Sequence, residues 1–368
     1  MRKWEFVGTA LAVMRGDSLL FAKGYGMSTD TTDMTPGTIM RIASVSKLIT
    51  ATAIVKLMEQ GALGLDSKVF GPEGILNDES FTETITDKRY FDLTVENLLR
   101  HQSGFTNRFG DPMFRTNDIM LMNQLDSLPD HNTLVKCVIK RKLAFDPGSI
   151  YLYSNFGYLL LSMIVERLTG EDYETWTREN VLKPAGCTDM YLAGNLLEDR
   201  RPNESCYFMM PNAELEPSLF SADSVSSCYG ANDIHSLAGA GAWLASAPEL
   251  ALFISTIDGI PGREDIISDE SFRMMTTPDE LSKHPLGWAK VLKDGTLVRR
   301  GPFDGSIALD TLYPDGECWV FISNTDAWMG PKESSSISAL LDSLKGKYSD
   351  KLPAQDLFLF QAADSLNN

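Results

Sequence analysis

Hydrophobic and polar positions in this chain of 368 residues follow two periods, and the two are segregated along its length. Residues 7–14 and 18–23 are β-prone runs joined by Arg15-Gly16-Asp17, which predicts a hairpin that Gly24-Tyr25-Gly26 ends. A loop rich in Thr and Asp leads through Thr38-Ile39-Met40 to an apolar helical pattern from Ser44 to Met58, with Gly61 placed to terminate it. From Leu63 to about Asn232 the signals are mainly helix and loop, with helices predicted over 93–100, 132–142 and 155–168, the last stopped by Gly170. Beyond Ala238 a helix over 248–257 precedes β-prone runs at 287–291, 297–299, 306–313 and 317–323, and Pro314-Asp315-Gly316 is a strong turn between the last two. A helix over 332–344 follows, and 357–360 is apolar enough to dock.

Strand signals at both ends and helices between them predict an α/β (α+β) architecture. An antiparallel sheet domain is expected from residues 1–62 and 235–368, flanked by helices, with a mainly helical domain inserted over 63–234. With 43% hydrophobic residues the chain can bury a large core. The net charge of −17 argues against nucleic acid and against an anionic membrane surface as partners. Five cysteines without C-x-x-C and four histidines without H-x-x-x-H give a metal site little support, and no cofactor is implied. Cys206 and Cys228 could pair across a loop in an oxidising compartment, but buried free thiols are the expectation for most of the five. Met1-Arg2-Lys3 is a faint signal-peptide start, yet the residues after it form no apolar run with a cleavage site, so any export signal is expected to have been trimmed or never to have existed. No segment is long and apolar enough to span a membrane.

Candidate chemistry begins at Arg41-Ile42-Ala43-Ser44-Val45-Ser46-Lys47. If Ser44 opens the helix, Lys47 projects beside it one turn later, and the hydroxyl stands at the positive end of the helix dipole among unpaired N–H groups. Ser-x-x-Lys alone arises by chance roughly once in such a chain, and its ordinary reading is an N-capping serine with a solvated lysine. The G-x-S-x-G pattern is absent around Ser44.

Two further stretches carry more information. Leu98-Leu99-Arg100-His101-Gln102-Ser103-Gly104 resembles the LLxHxSG signature of the serine β-lactamase and penicillin-binding-protein superfamily in its class C-like branch, and Pro147-Gly148-Ser149-Ile150-Tyr151-Leu152-Tyr153-Ser154-Asn155-Phe156-Gly157-Tyr158 resembles the PGxxxxYSNxGY segment of the same branch. That branch includes family VIII esterases, D-aminopeptidases and DD-carboxypeptidases. Lesser matches, such as Lys183-Pro184-Ala185-Gly186 and Gly287-Trp288, spread the resemblance over nearly the whole chain.

The resemblance implies acyl-enzyme chemistry, which replaces one difficult step by two easier ones. Ser44 would attack a carbonyl, and Lys47, its pKa lowered by burial and nearby cations, would accept or relay the proton. Tyr153 is the other candidate base, against the alternative of a core aromatic with a satisfied hydroxyl. Asn155 would hold Lys47 and a substrate amide, or cap the helix that starts there, or both. His101 is assigned to a structural turn, and Trp243 and Trp288 are pocket or, more simply, core residues.

Counting back from the turn at Pro314, the third motif falls on Arg299-Arg300-Gly301. Arg299 keeps a cation but cannot shuttle protons, so it suits a substrate carboxylate, electrostatic support, or a solvated strand position. Pro302 stands where the resemblance implies a second oxyanion-hole N–H, which proline lacks. Either the register shifts so that Asp304-Gly305-Ser306 takes that edge, or the oxyanion site differs, or turnover is poor. The expectation is a serine hydrolase acting on a small ester, amide or D-amino-acid peptide, with esterase and peptidase activity ahead of β-lactam hydrolysis. Its alternatives are an acyltransferase of the same fold and a catalytically impaired penicillin-binding-type protein. The resemblance leans towards the bacterial periplasm or envelope over the cytoplasm.

Overall fold

The computed structural model describes residues 4–108, 110–210, 212–281, 284–325, 333–354 and 356–359. In chain order the helices are α1 (Ser46–Glu59), α2 (Glu79–Thr84), α3 (Val95–Leu99), α4 (Thr116–Asn123), α5 (His131–Ile139), α6 (Asn155–Thr169), α7 (Tyr173–Thr177), α8 (Ala238–Gly241), α9 (Ala247–Ile254), α10 (Asp269–Thr276) and α11 (Glu333–Tyr348). The strands are β1 (Gly8–Arg15), β2 (Ser18–Gly26), β3 (Met40–Arg41), β4 (Tyr191–Leu192), β5 (Glu216–Pro217), β6 (Ser224–Val225), β7 (Trp243–Ala245), β8 (Lys290–Val291), β9 (Leu297–Phe303), β10 (Ser306–Leu312) and β11 (Glu317–Ser323).

The expected hairpin forms as β1 and β2, and β1 then pairs antiparallel with β11, so the sheet runs β2-β1-β11-β10-β9-β8 and joins both ends of the sequence. Successive side chains of a strand point to opposite faces. Ala10, Ala12 and Met14 therefore enter the main core, whereas Val13 joins Trp319, Phe321, Ile337 and Leu341 in a second cluster under α11. Both faces are covered, which is why β10 and β11 are buried along their whole length, polar residues such as Asp310 and Glu317 included.

Helix α1 runs through the main core and is buried from Ser46 to Val55. A helix enclosed on all sides carries no polar face, which matches its run of Leu, Ile, Ala and Val. It ends where Gly61 was expected to end it: Gly61 at φ +74 donates to the Met58 carbonyl at 2.9 Å and Ala62 donates to Leu57 at 3.0 Å, closing the last turn. The helix over 155–168 forms as α6, likewise stopped by Gly170 at φ +74.

Several boundaries differ from the sequence reading. The residues over 287–291 pair only at Lys290 and Val291, while the run that began at Leu297 extends to Phe303. Ser44 belongs to a tight turn, Ala43–Val45, and the α-helix starts at Ser46. Asn155 is not a cap: Ser154 takes that place, its Oγ accepting the Gly157 N–H at 3.2 Å. All five cysteines are free, so Cys206 and Cys228 are not paired. The run 357–360 is represented by Leu357 and Phe358, which pack on the core, while Lys332 and Phe360 lie outside the described residues. Among the described residues no helix is long and apolar enough to cross a membrane.

Candidate active site

The turn that carries Ser44 is held in an uncommon conformation. Ala43 has φ +46, a left-handed value that costs a residue with a Cβ of order 1–3 kcal/mol and persists only where the surroundings impose it. Those surroundings are β9: a Cβ on Gly301 would lie 2.2 Å from the Ile42 carbonyl oxygen and 2.7 Å from the Ser44 nitrogen. Only glycine allows the strand so close to the turn.

Lys47, the second residue of α1 and one turn on from Ser44, has a fully buried side chain. Its Nζ donates to Asn155 Oδ1 at 2.6 Å, to the Ala240 carbonyl at 2.6 Å and to Ser44 Oγ at 3.2 Å. An ammonium has three protons, and these three acceptors use them all. Ser44 Oγ also lies 2.7 Å from Tyr153 Oη. Either hydroxyl can donate across that contact, and once Tyr153 is ionised its oxygen is the acceptor for the serine proton.

Tyr153 and Asn155 come from the segment that leads into α6 and caps it with Ser154. The Asn107 amide donates to the Tyr153 carbonyl at 2.9 Å. Asp111 Oδ2 accepts both the backbone N–H and the Nδ2 of Asn155, each at 3.0 Å, which fixes that amide with its oxygen towards Lys47. Asn107 and Asp111 were not singled out in the sequence. Asp111-Pro112 carries a helix-start signal, and Asp111 does accept the Met113 N–H, but nothing in its spacing links it to Asn155.

His101 is buried beneath the tyrosine, its ring 4.4 Å from that of Tyr153, and its Nδ1 accepts the Ser154 N–H at 3.2 Å. Burial, followed by the charges of Lys47 and Arg299, holds it well below the usual histidine value and therefore neutral. The structural role expected for it fits these contacts.

Arg299 is not a solvated strand residue. It is 4% exposed, and its Nε donates to the Ser44 carbonyl at 2.8 Å. The register Gly301 opposite Ala308 and Pro302 opposite Ile307 is unshifted. Gly305 packs its α-carbon against Cys228 and Tyr207, so the 304–306 turn does not take the edge beside Ser44. Strand β8 pairs with β9 only at Leu297 and Val298, leaving the edge from Arg299 onwards without a ladder partner from β8. A proline is tolerated on such an edge, and Pro302 brings no N–H to it.

Electrostatics favour proton movement inside this cluster. Burial brings Lys47 down to about 8, helped by Arg299 and opposed by Tyr153 and Asp111. Burial raises Tyr153, but the charges of Lys47 and Arg299 and the hydrogen bonds of Lys47 and Ser44 outweigh it, and the phenol ends below its ordinary value of 10.0. A cleft of about 390 Å³ opens over Ser44, walled largely by Leu99, Phe114, Tyr151, Trp288 and Pro302. Trp243 is not part of it: fully buried, it donates to the Tyr173 hydroxyl at 3.0 Å. Among the described residues no three His, Cys, Asp or Glu side chains converge to hold a metal ion.

A serine at the head of a buried helix, with a lysine one turn on and a tyrosine and asparagine supplied by a second segment, defines a class of nucleophilic serine site facing the edge of an antiparallel sheet. Residues 1–315 match the family described as Beta-lactamase, and the chain belongs to that family. Penicillin-binding protein 4* of Bacillus subtilis (strain 168) is 28% identical over 210 residues, 56% of this chain and 42% of that protein. A putative D-alanyl-D-alanine carboxypeptidase of Escherichia coli O157:H7 is 24% identical over 334 residues, 84% of this chain and 73% of its own. The chain thus spans less than half the length of the first of these relatives. Among solved structures, D-amino acid amidase from Ochrobactrum anthropi SV3 has a TM-score of 0.70 at 18% identity and covers 94% of each chain. EstCE1, described as a hydrolase with promiscuous acyltransferase activity, has a TM-score of 0.66 at 19% identity over 89% of this chain and 91% of its own. These two share the β-lactamase-like fold with this protein.

Proposed function

We propose that the protein is a serine hydrolase that forms an acyl-Ser44 intermediate from a small ester, amide or D-amino-acid peptide. The observation that carries this reading is the continuous contact Tyr153 Oη, Ser44 Oγ, Lys47 Nζ, Asn155 Oδ1 at 2.7, 3.2 and 2.6 Å. Tyr153, in its phenolate form, takes the serine proton as Ser44 Oγ bonds to the substrate carbonyl carbon, and so becomes a neutral phenol. Collapse of the tetrahedral intermediate breaks the bond to the leaving alcohol or amine, which receives that proton. Water then repeats the sequence on the ester and frees the acid. Lys47 holds positive charge beside the starting Tyr153 phenolate and the developing oxyanion, Asn155 fixes Lys47 and offers its amide to the substrate, and Gly301 lets β9 approach. Arg299 anchors the turn through the Ser44 carbonyl and adds positive potential. We assign residues 1–62 and 235–368 to the sheet part and 63–234 to the helical part, with the site between them.

A relative described as a putative D-alanyl-D-alanine carboxypeptidase and neighbours described as an amidase and a hydrolase support the substrate class. Pro302 favours a second reading, a slow acylator that holds its acyl group and acts as a binding protein, because loss of one oxyanion donor costs on the order of 10²–10³ in kcat. Acyl transfer to an alcohol or amine is the remaining variant. Intact-mass measurement after exposure to a p-nitrophenyl ester, a penicillin and an active-site phosphonate, with Ser44→Ala as control, tests the first two. An adduct lost in the control with steady product release supports the hydrolase. A persistent adduct supports the binding protein, and no adduct with any probe sinks both.

A further inference from the structure

Asp310 lies mid-strand in β10 with none of its surface exposed, directly opposite Arg299 of β9 in the ladder. Strand alternation puts both side chains on the face that carries Leu297, Ala308 and Leu312 into the main core. Neither Asp310 carboxyl oxygen meets a hydrogen-bond donor from another residue, and Arg299 Nη2 is likewise buried without an acceptor. The other end of that guanidinium, Nε, holds the Ser44 carbonyl. A buried acid without partners is costly, and an apolar side chain would fill the same place more cheaply. The reaction scheme above makes no use of it.

We propose that Asp310 is a positioning residue for the Ser44 site, acting through Arg299: its carboxyl group sets how much of the guanidinium charge reaches Ser44, Lys47 and Tyr153. Behind burial and the Lys47–Tyr153 interaction, the charge of Arg299 depresses Lys47, Tyr153 and His101 alike, so one group contributes to the field at every member of the cluster. A neutral Asp310 leaves that charge undiminished, and an ionised one offsets it. Burial pushes the Asp310 carboxyl up to about 8, against the pull of Arg299, so both forms are within reach near neutrality. From β11, the Cys318 thiol faces the same space, held well above its ordinary value first by burial and then by Asp310 and Asp258. Cys318 therefore stays neutral, and Arg299 is the cation that Asp310 answers to.

The kinetic side of this inference rests on the hydrolase reading, and its electrostatic side does not. In Asp310→Asn no charge can offset Arg299, so the Tyr153 phenol is expected to ionise at lower pH than in the parent, by about half a unit to one unit at intermediate effective dielectric. Ultraviolet difference titration, with Tyr153→Phe in each background to isolate that phenol, reads this without any turnover. The kcat/KM profiles for an activated ester should converge well below pH 8 and diverge above it. Identical Tyr153 titrations in parent and variant, or a uniform drop in rate at every pH, would overturn the proposal, the second being what a purely structural role gives. Should Asp310→Asn not fold, Arg299→Gln with ¹³C-labelled aspartate is the alternative. The Asp310 carboxyl should titrate above its parent value of about 8 once Arg299 is gone, and no change would sink the idea. If the parent shows no turnover, the hydrolase reading fails while both titrations still decide the role of Asp310.

Discussion

Ser44 Oγ and Tyr153 Oη lie 2.7 Å apart although 109 positions separate them in sequence, and the lysine that touches the same serine is three positions away. In the proposed mechanism Tyr153 is the proton acceptor that tertiary structure delivers to a locally built nucleophile. Tyr153→Phe is expected to lower the rate of Ser44 acylation by roughly 10²–10⁴-fold, the usual worth of a positioned acid–base group. Stopped-flow measurement of acylation, alongside a circular dichroism check of the fold, reads it. A change of less than tenfold would move the proton to Lys47.

The pH profile should be set by the Lys47–Tyr153 pair. Acylation is expected to rise through pH about 8 as the pair loses a proton. No inflection at the ordinary histidine value should appear, because His101 is held well below it by burial and stays neutral across that range. A steep step near 6.5 in kcat/KM would contradict the neutral, structural histidine.

Asp111 reaches the site by two hydrogen bonds to Asn155, and its charge adds a smaller direct pull on Lys47. In Asp111→Ala the Asn155 amide loses the acceptor that fixes its orientation, and the Lys47 contact at 2.6 Å weakens. Hydrogen bonds to charged groups are worth about 1.5–3 kcal/mol, so a fall of roughly 10–150-fold in kcat/KM is expected. If Asn155→Ala is made in the same background, little further loss should follow, because the two act as one unit.

Pro302 offers a gain-of-function test. Pro302→Ala restores a backbone N–H on the edge of β9 beside Ser44, and kcat for an activated ester should rise at least about tenfold if that edge completes the oxyanion site. An unchanged kcat would place the oxyanion donors elsewhere.

Glu317 ties the carboxyl-terminal helix to the sheet. Its carboxylate accepts from Arg15 Nη2 at 2.5 Å, Trp319 Nε1 at 2.9 Å and the Ser349 hydroxyl, and Lys345 Nζ lies 3.3 Å away. Burial works to raise it, but these donors bring it down to about 2. A carboxylate depressed in the folded state contributes stability above its unfolded value, and that contribution fades as pH falls towards 2. Glu317→Gln is expected to lower Tm by several degrees at neutral pH and to flatten the fall of Tm in acid. Parallel melting curves at pH 3 and pH 7 that keep the parent's spacing would contradict this.

Much of the architecture was legible locally. β-Prone runs bounded by turn residues marked β1, β2, β10 and β11, and the Gly61 and Gly170 stops were readable because only glycine takes the left-handed backbone there without strain. Ser44 and Lys47 could be paired from sequence, since helical spacing brings residues three apart together. The residues of the second and third stretches were recognised by resemblance, and their contacts were not readable: the turn of φ +46 at Ala43, the approach of Gly301 and the anchoring of the Ser44 carbonyl by Arg299 all depend on β9 arriving from far along the chain.

What the sequence by itself determined is the outer hairpins, the main helices, the Gly61 and Gly170 stops and the serine–lysine spacing, because these follow from side-chain spacing and backbone preference over a few residues. What only the tertiary structure decided is the environment that gives the turn its chemistry: Asp111 behind Asn155, Asp310 behind Arg299, and a proline on the one strand edge that meets Ser44. Hydrogen-bond geometry and the loss of water around a charge are fixed by packing between distant segments, and no local pattern encodes either.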